Sequence, residues 1–219
     1  MDDFPIRRAQ PADISFLADV MYQSMLPGVG SGVFDSQLDG TGVTPLEFHE
    51  ALLRQGANNW GQLEDFLVVE DSVGRPAGAM GSFLSNQGDQ RPLRPDGFEA
   101  VSHSLGWSPE VAKAFWRKYV AVFGLFGKSP NLFHPADYVL EYAAIREDMR
   151  GAGLYGKLVL AHAARAREEG HTVIGGTAIF GNSSVLRCFE KLGFRAHTTM
   201  GPERFRGLYP GLTRFVLDI

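Results

Sequence analysis

Cysteine is almost absent from this chain. Cys188 is the only one in 219 residues, so no disulfide can close within the chain, and a reducing compartment, the cytoplasm, is the default. Positive charge is short as well. With 21 Lys and Arg against 25 Asp and Glu, the net charge is -4, which lacks the basic footprint of a nucleic-acid binder. No apolar run reaches the length of a bilayer-spanning helix, and the opening "MDDFPIRRAQPADISF" lacks the apolar core of a signal peptide. Six histidines occur without H-E-x-x-H or comparable spacing, so no metal is expected. Repeats and low-complexity tracts are missing. The expectation that remains is a soluble, cytoplasmic chain forming one domain over 1–219, with neither membrane nor nucleic acid as partner. A hydrophobic content of 44% suffices for a core.

Strand and helix signals alternate along the chain. "FPIRRA" reads as a first strand, and "PADISFLADVMYQSM" follows with apolar residues at helical spacing. "LPGVGSGVFDSQLDGTGV" is a glycine-rich loop, whose segment Pro27 to Gly32 is expected to border an acceptor pocket. Thr44-Pro45 then opens a second helix through "LEFHEALLRQ". "DFLVVED" and "PAGAMGSFL" flank the turn signal Gly74-Arg75 as a hairpin. "DYVLEYAAI", "HTVIGGTAI" and "GLTRFVLDI" are further strands, and "NSSVLRCFEKLGF" is a helix with Asn182 as its cap.

Residues 85–136 stand outside this alternation, because most connections are far shorter. Within them Ser108 and Pro109 open a helix, "EVAKAFWRKYVAVFGLFG", with Val111, Phe115, Tyr119, Val122 and Phe126 near one stripe and Trp116 and Phe123 widening it. That face either packs on the core alone or also roofs a substrate cleft. His103 and His134 lie in this segment, where surface positions are the commoner outcome for histidine.

"MRGAGLYGKLVLAHAARAREEG" poses the sharpest question, since it places Arg150, Gly151, Gly153 and Gly156 at the mouth of a helix. Glycine in a helix costs about 1 kcal/mol against alanine. A helix N-terminus presents unpaired amide donors and partial positive charge, and bare backbone lets an anion such as a diphosphate come close. Close packing of the helix on a strand would also account for the glycines. A dinucleotide fingerprint is disfavoured because Arg146 to Arg150 separate the strand from the glycines, and a P-loop fails because Leu158 follows Gly156-Lys157.

Taken with "GNSSVLRCFEKLGF", the stretch "AAIREDMRGAGLYGKLVLAHA" resembles the GCN5-related N-acetyltransferase (GNAT) superfamily. The family's R/Q-x-x-G-x-G/A signature lies on Arg150, Gly151, Ala152, Gly153, Leu154 and Tyr155. Its Asn…Y-E-K-L-G-F region lies on Asn182 and Phe189 to Phe194. The order of elements is similar over nearly the whole chain, apart from the insertion at 85–136. The resemblance implies an α/β fold with a mixed, mostly antiparallel sheet splayed between strands 4 and 5 and flanked by helices. It also implies acetyl-CoA, or another acyl-CoA, as co-substrate, with no metal. The diphosphate would meet Arg150 and the amides of Gly151, Ala152, Gly153, Leu154 and Tyr155. The pantetheine arm would pair with Ala143, Ala144, Ile145 and Arg146, and would touch Asn182, whose plainer reading is a helix cap. A homodimer is common in such proteins, and the oligomeric state is open here.

Two departures stand out. Tyr155 replaces the small residue ending the signature, so its ring must point away from the diphosphate. Phe189 replaces the tyrosine that in many members protonates the departing thiolate, although a thiolate can also leave unassisted. Cys188 beside it reads as a core residue. Glu141 is the base expected from the sequence: it lies four residues before Ile145, hence on the same face of a regular strand, whereas Tyr142 faces the other side. A carboxylate inside "YVLEYAAI" is costly unless it is used or paired. The implied reaction is transfer of an acetyl or short acyl group to a primary amine of a small molecule, by direct attack in a ternary complex. The alternatives are a non-catalytic acyl-CoA-binding module, or a GNAT-fold enzyme that uses an acyl carrier protein or decarboxylates malonyl thioesters.

Overall fold

The computed structural model describes residues 4–85, 90–124, 134–205 and 209–219. Its strands are β1 (Ile6–Arg8), β2 (Leu67–Glu70), β3 (Pro76–Leu84), β4 (Tyr138–Ile145), β5 (Val173–Ile179), β6 (Arg195–Met200) and β7 (Leu212–Asp218). They form one seven-stranded sheet in the order β1-β2-β3-β4-β5-β7-β6. Every neighbouring pair is antiparallel except β4 and β5, which run parallel. The expected mixed, mostly antiparallel sheet is thus present. Strand β6 carries no strand signal in its residues: "RAHTTM" is polar and largely exposed, an edge paired only with β7.

The helices are α1 (Ile14–Val29), α2 (Asp35–Leu38), α3 (Pro45–Arg54), α4 (Phe98–Ser104), α5 (Pro109–Phe123), α6 (Leu154–Glu168) and α7 (Ser183–Leu192). Local chemistry sets several of their starts. At α3 the Thr44 hydroxyl caps the Glu47 N–H while the Glu47 carboxylate takes the Thr44 N–H at 2.8 Å, a reciprocal cap. Ser108 caps α5, and Asn182 caps α7 through Val185 N–H at 3.2 Å. Helix α1 runs on through Val29 to a left-handed Gly30, so the glycine-rich loop starts later than its sequence suggests. Among the described residues no helix is long and apolar enough to cross a membrane.

Helix α6 covers one face of the sheet, where Leu154, Leu158 and Val159 pack with Met80, Tyr138, Leu140 and Phe189. The other face meets α1 and α3 through Leu17, Met21, Leu53, Phe66 and Tyr142. Helices α2 to α5 form a third, aromatic cluster in which Phe34, Phe48, Phe115, Tyr119 and Phe123 interlock. The apolar stripe of α5 therefore has a packing role. Its expected member Phe126 lies outside the described residues.

Candidate active site

Strands β4 and β5 pair at only three places, Tyr138 with Ile174, Val139 with Gly175 and Leu140 with Gly176. Beyond Leu140, β4 keeps β3 as its partner through Ile145, while β5 keeps β7 through Ile179. The two strands diverge, and β4 is left with an unpaired edge.

A bulge sits at the point of divergence. Ala79 faces Ala144 but Gly81 faces Glu141, so two residues of β4, Tyr142 and Ala143, stand against Met80 alone. Tyr142 takes φ 49°, the left-handed region and the only such non-glycine among the described residues, a conformation that costs an L residue about 1–2 kcal/mol. The extra residue corrects the expected facing. Leu140 and Ala143 pack together with Ile145 on the α6 side, whereas Tyr142 and Ala144 belong to the α1 side. Glu141, opposite Gly81 whose open face looks onto Phe66, shares the α1 side with Tyr142 rather than the side of Ile145.

The divergence opens into a cavity of about 380 Å³ lined by Glu141, Tyr142, Tyr155, Asn182, Phe189 and residues from the α1–α2 loop and α5. This volume suits a small molecule. Glu141 is partly buried on the cavity wall. Burial pushes its carboxyl up to about 7, against the opposing pull of Tyr142 N–H and the Arg214 charge. A carboxylate so placed changes charge near neutral pH, as a general base must.

The mouth of α6 has the geometry of an anion site. Gly151 and Gly153 are left-handed, at φ 86° and 77°, and a Cβ on either would meet nothing within 4 Å. Among the described residues the N–H groups of Gly151 to Gly156 meet no backbone carbonyl, leaving a run of open donors. Arg150 is exposed and reaches back so that its Nε donates to Ile145 O at 3.1 Å. Arg146 has less to offer. Its N–H donates to Ala77 O, its carbonyl takes Met149 N–H, and its guanidinium is held by Asp71 and Asp148.

Of the expected cofactor contacts, Ala143, Tyr155, Asn182 and Phe189 line the cavity. Asn182 lines the cavity, and its Oδ1 accepts Val185 N–H as the cap of α7. Leu154 is buried in the core, so only its backbone is available. The Phe189 ring stacks on Phe194 at 4.4 Å between centroids and tilts against Phe215. Tyr155 lines the cavity and packs, partly buried, against the α6-side core. Cys188, expected in the core, is only partly buried.

Several residues lining the cavity carry no isolated signal in the sequence. Arg214 of β7 is buried, which lowers its guanidinium to about 10, and it feels the Glu141 charge. Tyr209 also lines the cavity, its phenol held high by burial and by Glu141. His134, expected near the surface, is buried, with burial and the Arg214 charge lowering it to about 3. Its Nδ1 accepts Ala136 N–H and its Nε2 donates to Gly176 O, both at 3.2 Å, so the ring is neutral. Trp60, Phe83 and Phe123 supply an aromatic end. A signal for two of these contacts is present in "HTVIGGTAI", since a glycine pair inside a strand marks close approach. A Cβ on Gly175 would run into the His134 ring, and one on Gly176 would lie 2.6 Å from Phe189.

No protein-family model matches the chain, and no curated protein does. Solved structures do. An N-acetyltransferase from Staphylococcus aureus Mu50 is 17% identical, with 97% of this chain and 100% of that one covered at a TM-score of 0.61. The yncA protein of Salmonella typhimurium, solved with its cofactor acetyl-CoA, is 17% identical over 99% and 94% of the two chains, at 0.53. A Drosophila melanogaster polyamine N-acetyltransferase, which forms N-acetylagmatine, is 16% identical over 99% and 100%, at 0.52. At these identities the likeness is one of fold.

Proposed function

We propose that this chain, which has the fold of solved acetyltransferases, is an acyl-CoA-dependent N-acyltransferase that transfers an acetyl or short acyl group to a primary amine of a small molecule by direct attack in a ternary complex. The observation that carries the reading is Glu141, a carboxyl poised at about 7 on the wall of the cavity where β4 and β5 part. An acyl-CoA would bring the activated carbonyl as a thioester. The open amides of Gly151 to Gly156 and the Arg150 cation fit its diphosphate, and the unpaired edge of Ala143 to Ile145 with the Asn182 amide fits an extended amide-bearing arm. Glu141 would take the proton of the attacking amine, and the aromatic end around Trp60 would receive the acceptor's apolar body. The yncA complex supports acyl-CoA use, and the fly enzyme supports an amine acceptor.

One observation favours a second reading, a module that binds acyl-CoA without turnover: Phe189 places an apolar ring on the cavity wall. A carrier-protein substrate is less well supported, because Arg146 and Arg150 at the mouth alternate with Glu147 and Asp148 and give no basic tilt. A broad amine panel scored by free-thiol release decides between the first two. Turnover that Glu141→Gln cuts by on the order of 10²-fold or more supports the base. Tight acetyl-CoA binding with no thiol release from any amine selects the binding module.

A further inference from the structure

The last rung between β4 and β5 joins Leu140 to Gly176. One step beyond it stand Glu141 on β4 and Thr177 on β5, and Thr177 pairs on its other side with Arg214 of β7. A carboxyl, a hydroxyl and a guanidinium therefore follow one another across the sheet. They also share a face. A Cβ on Gly176 would run into Phe189 of the α6-side core, and one on Gly175 into the His134 ring. By alternation Thr177 turns to the His134 side, and Arg214 directly opposite turns with it. Glu141 belongs to that side too, and all three residues line the cavity. Glu141 and Arg214 are two strands apart, about 10 Å between backbones before the divergence widens the gap. Two long side chains with one small polar group between their tips can fill that span.

Arg214 is 8% exposed, and an apolar residue there would avoid the cost of burying a charge. Burial lowers it only to about 10, so it remains a cation at neutral pH. A guanidinium has five N–H donors in a fork that suits a carboxylate, so it can keep a protein neighbour and still take a ligand. Beside Glu141 the wall is apolar: Trp60 meets Tyr142 at 6.1 Å, Phe123 at 6.4 Å and Phe83 at 6.5 Å between ring centroids.

We propose that the acceptor is an α-amino acid with a large apolar side chain, its carboxylate on Arg214 and the Thr177 hydroxyl, its amine at Glu141 and its side chain on the Trp60 wall. This rests on the acyltransferase reading. An α-amino acid carries amine, carboxylate and side chain on one carbon, and the three unlike walls converge on one cavity. The neutral amine forms a bond to the acyl carbon, and the carbon–sulfur bond breaks with its electron pair on sulfur. The proton lost by nitrogen passes to Glu141 and ends on sulfur, giving an N-acyl amino acid and a thiol.

Thiol release from acetyl-CoA, compared for phenylalanine, phenylalaninamide and 2-phenylethylamine, isolates the carboxylate while keeping ring and amine. Phenylalanine should exceed either analogue in kcat/KM by on the order of 10²-fold, mostly through KM. Arg214→Gln should erase that difference, and Arg214→Lys, which keeps the charge without the fork, should retain part of it. A second readout needs no turnover: calorimetry of phenylalanine onto the CoA-loaded protein should show binding that Arg214→Gln removes. Equal or faster release from 2-phenylethylamine with wild type overturns the proposal, and that comparison needs no variant to fold. A carboxylate preference that persists in Arg214→Gln also overturns it, as does a preference for a diamine, whose second cation would belong at the cavity's other carboxylate, Asp35. If no amine releases thiol but phenylalanine binds through Arg214, the acyltransferase reading falls and the carboxylate site stands. If amines turn over and phenylalanine neither binds nor reacts, that reading stands and this proposal falls.

Discussion

His162 is fully buried and Glu141 sits partly buried on the cavity wall, on opposite sides of one sheet. On the α6 side, His162 Nε2 donates to Met80 O at 3.0 Å and Nδ1 accepts from the Tyr138 hydroxyl at 2.9 Å. Every polar atom of that ring is used, and burial lowers its pKa to about 4, so it stays neutral. On the cavity side, Glu141 has only the Tyr142 N–H and the Arg214 charge to set against its burial. The Tyr142 hydroxyl beside it has no partner among the described residues. One buried polar group is closed off as structure, and the other is left incomplete where something can approach. Incomplete satisfaction inside a cavity carries a stability cost that a folding-only role would not retain.

The cavity side breaks most completely at its anion end. Gly153→Ala should abolish the rise in melting temperature that acetyl-CoA confers by mass action, because φ 77° at the helix mouth is strained for any side chain. Alanine suits this test better than a β-branched residue, and the open space around the position lets the fold survive. A ligand-induced shift in Gly153→Ala equal to that of wild type would detach the diphosphate from these amides.

The two buried groups should respond to substitution with opposite signs. His162→Leu removes the hydrogen bonds to Met80 O and the Tyr138 hydroxyl, at roughly 0.5–1.5 kcal/mol each, and should lower the melting temperature by about 3–10 °C with acetyl-CoA affinity intact. Glu141→Gln should raise the melting temperature at alkaline pH while removing turnover, since a neutral amide avoids burying a charge. Thermal melts with a ligand titration on both variants test the contrast. A Glu141→Gln protein less stable than wild type at alkaline pH would mean that Glu141 is a structural ion pair with Arg214.

Much of this contrast is legible in the residues, and the rest depends on tertiary placement. The helix mouth from Arg150 to Gly156 announces itself, because glycines there oppose helix propensity and need a reason. Thr44, Ser108 and Asn182 mark helix starts through their own hydroxyl or amide chemistry. Glu141 stands out as a carboxylate within an apolar strand. The bulge does not, since "YVLEYAAI" holds neither glycine nor proline to mark a left-handed residue, and Tyr142 takes that conformation because the ring is pinned in the core against Trp60. Arg214 on β7 and Tyr209 just before it act on Glu141 from two strands away in the sheet, which no local pattern encodes. The short helices α2 and α4 and the polar strand β6 escape a sequence-based reading because tertiary contacts, not periodicity, hold them.

The smallest expected effect is the pH dependence of stability, because opposing contributions partly cancel. His49, His134 and His162 have folded values near 4, 3 and 4 against an ordinary 6.5. The unfolded chain therefore binds more protons in that window, and stability falls as pH drops from about 6.5 toward 4. Glu141 acts the other way. Its folded value of about 7 exceeds the ordinary 4.5, so the protonated folded form is favoured and stability is regained as pH falls through about 7. A tenfold difference in proton affinity between folded and unfolded chain corresponds to about 1.4 kcal/mol. Between pH 7 and 5.5 the histidines should together cost about 3–4 kcal/mol and Glu141 should return about 1–2, so wild type should lose only about 2 kcal/mol. Glu141→Gln removes the compensating part and should steepen the decline, while His162→Leu should make it shallower. Denaturant melts at several pH values read all three slopes. Identical slopes in wild type and Glu141→Gln would show that Glu141 titrates alike in the folded and unfolded states, and would withdraw it as a carboxyl poised near neutrality.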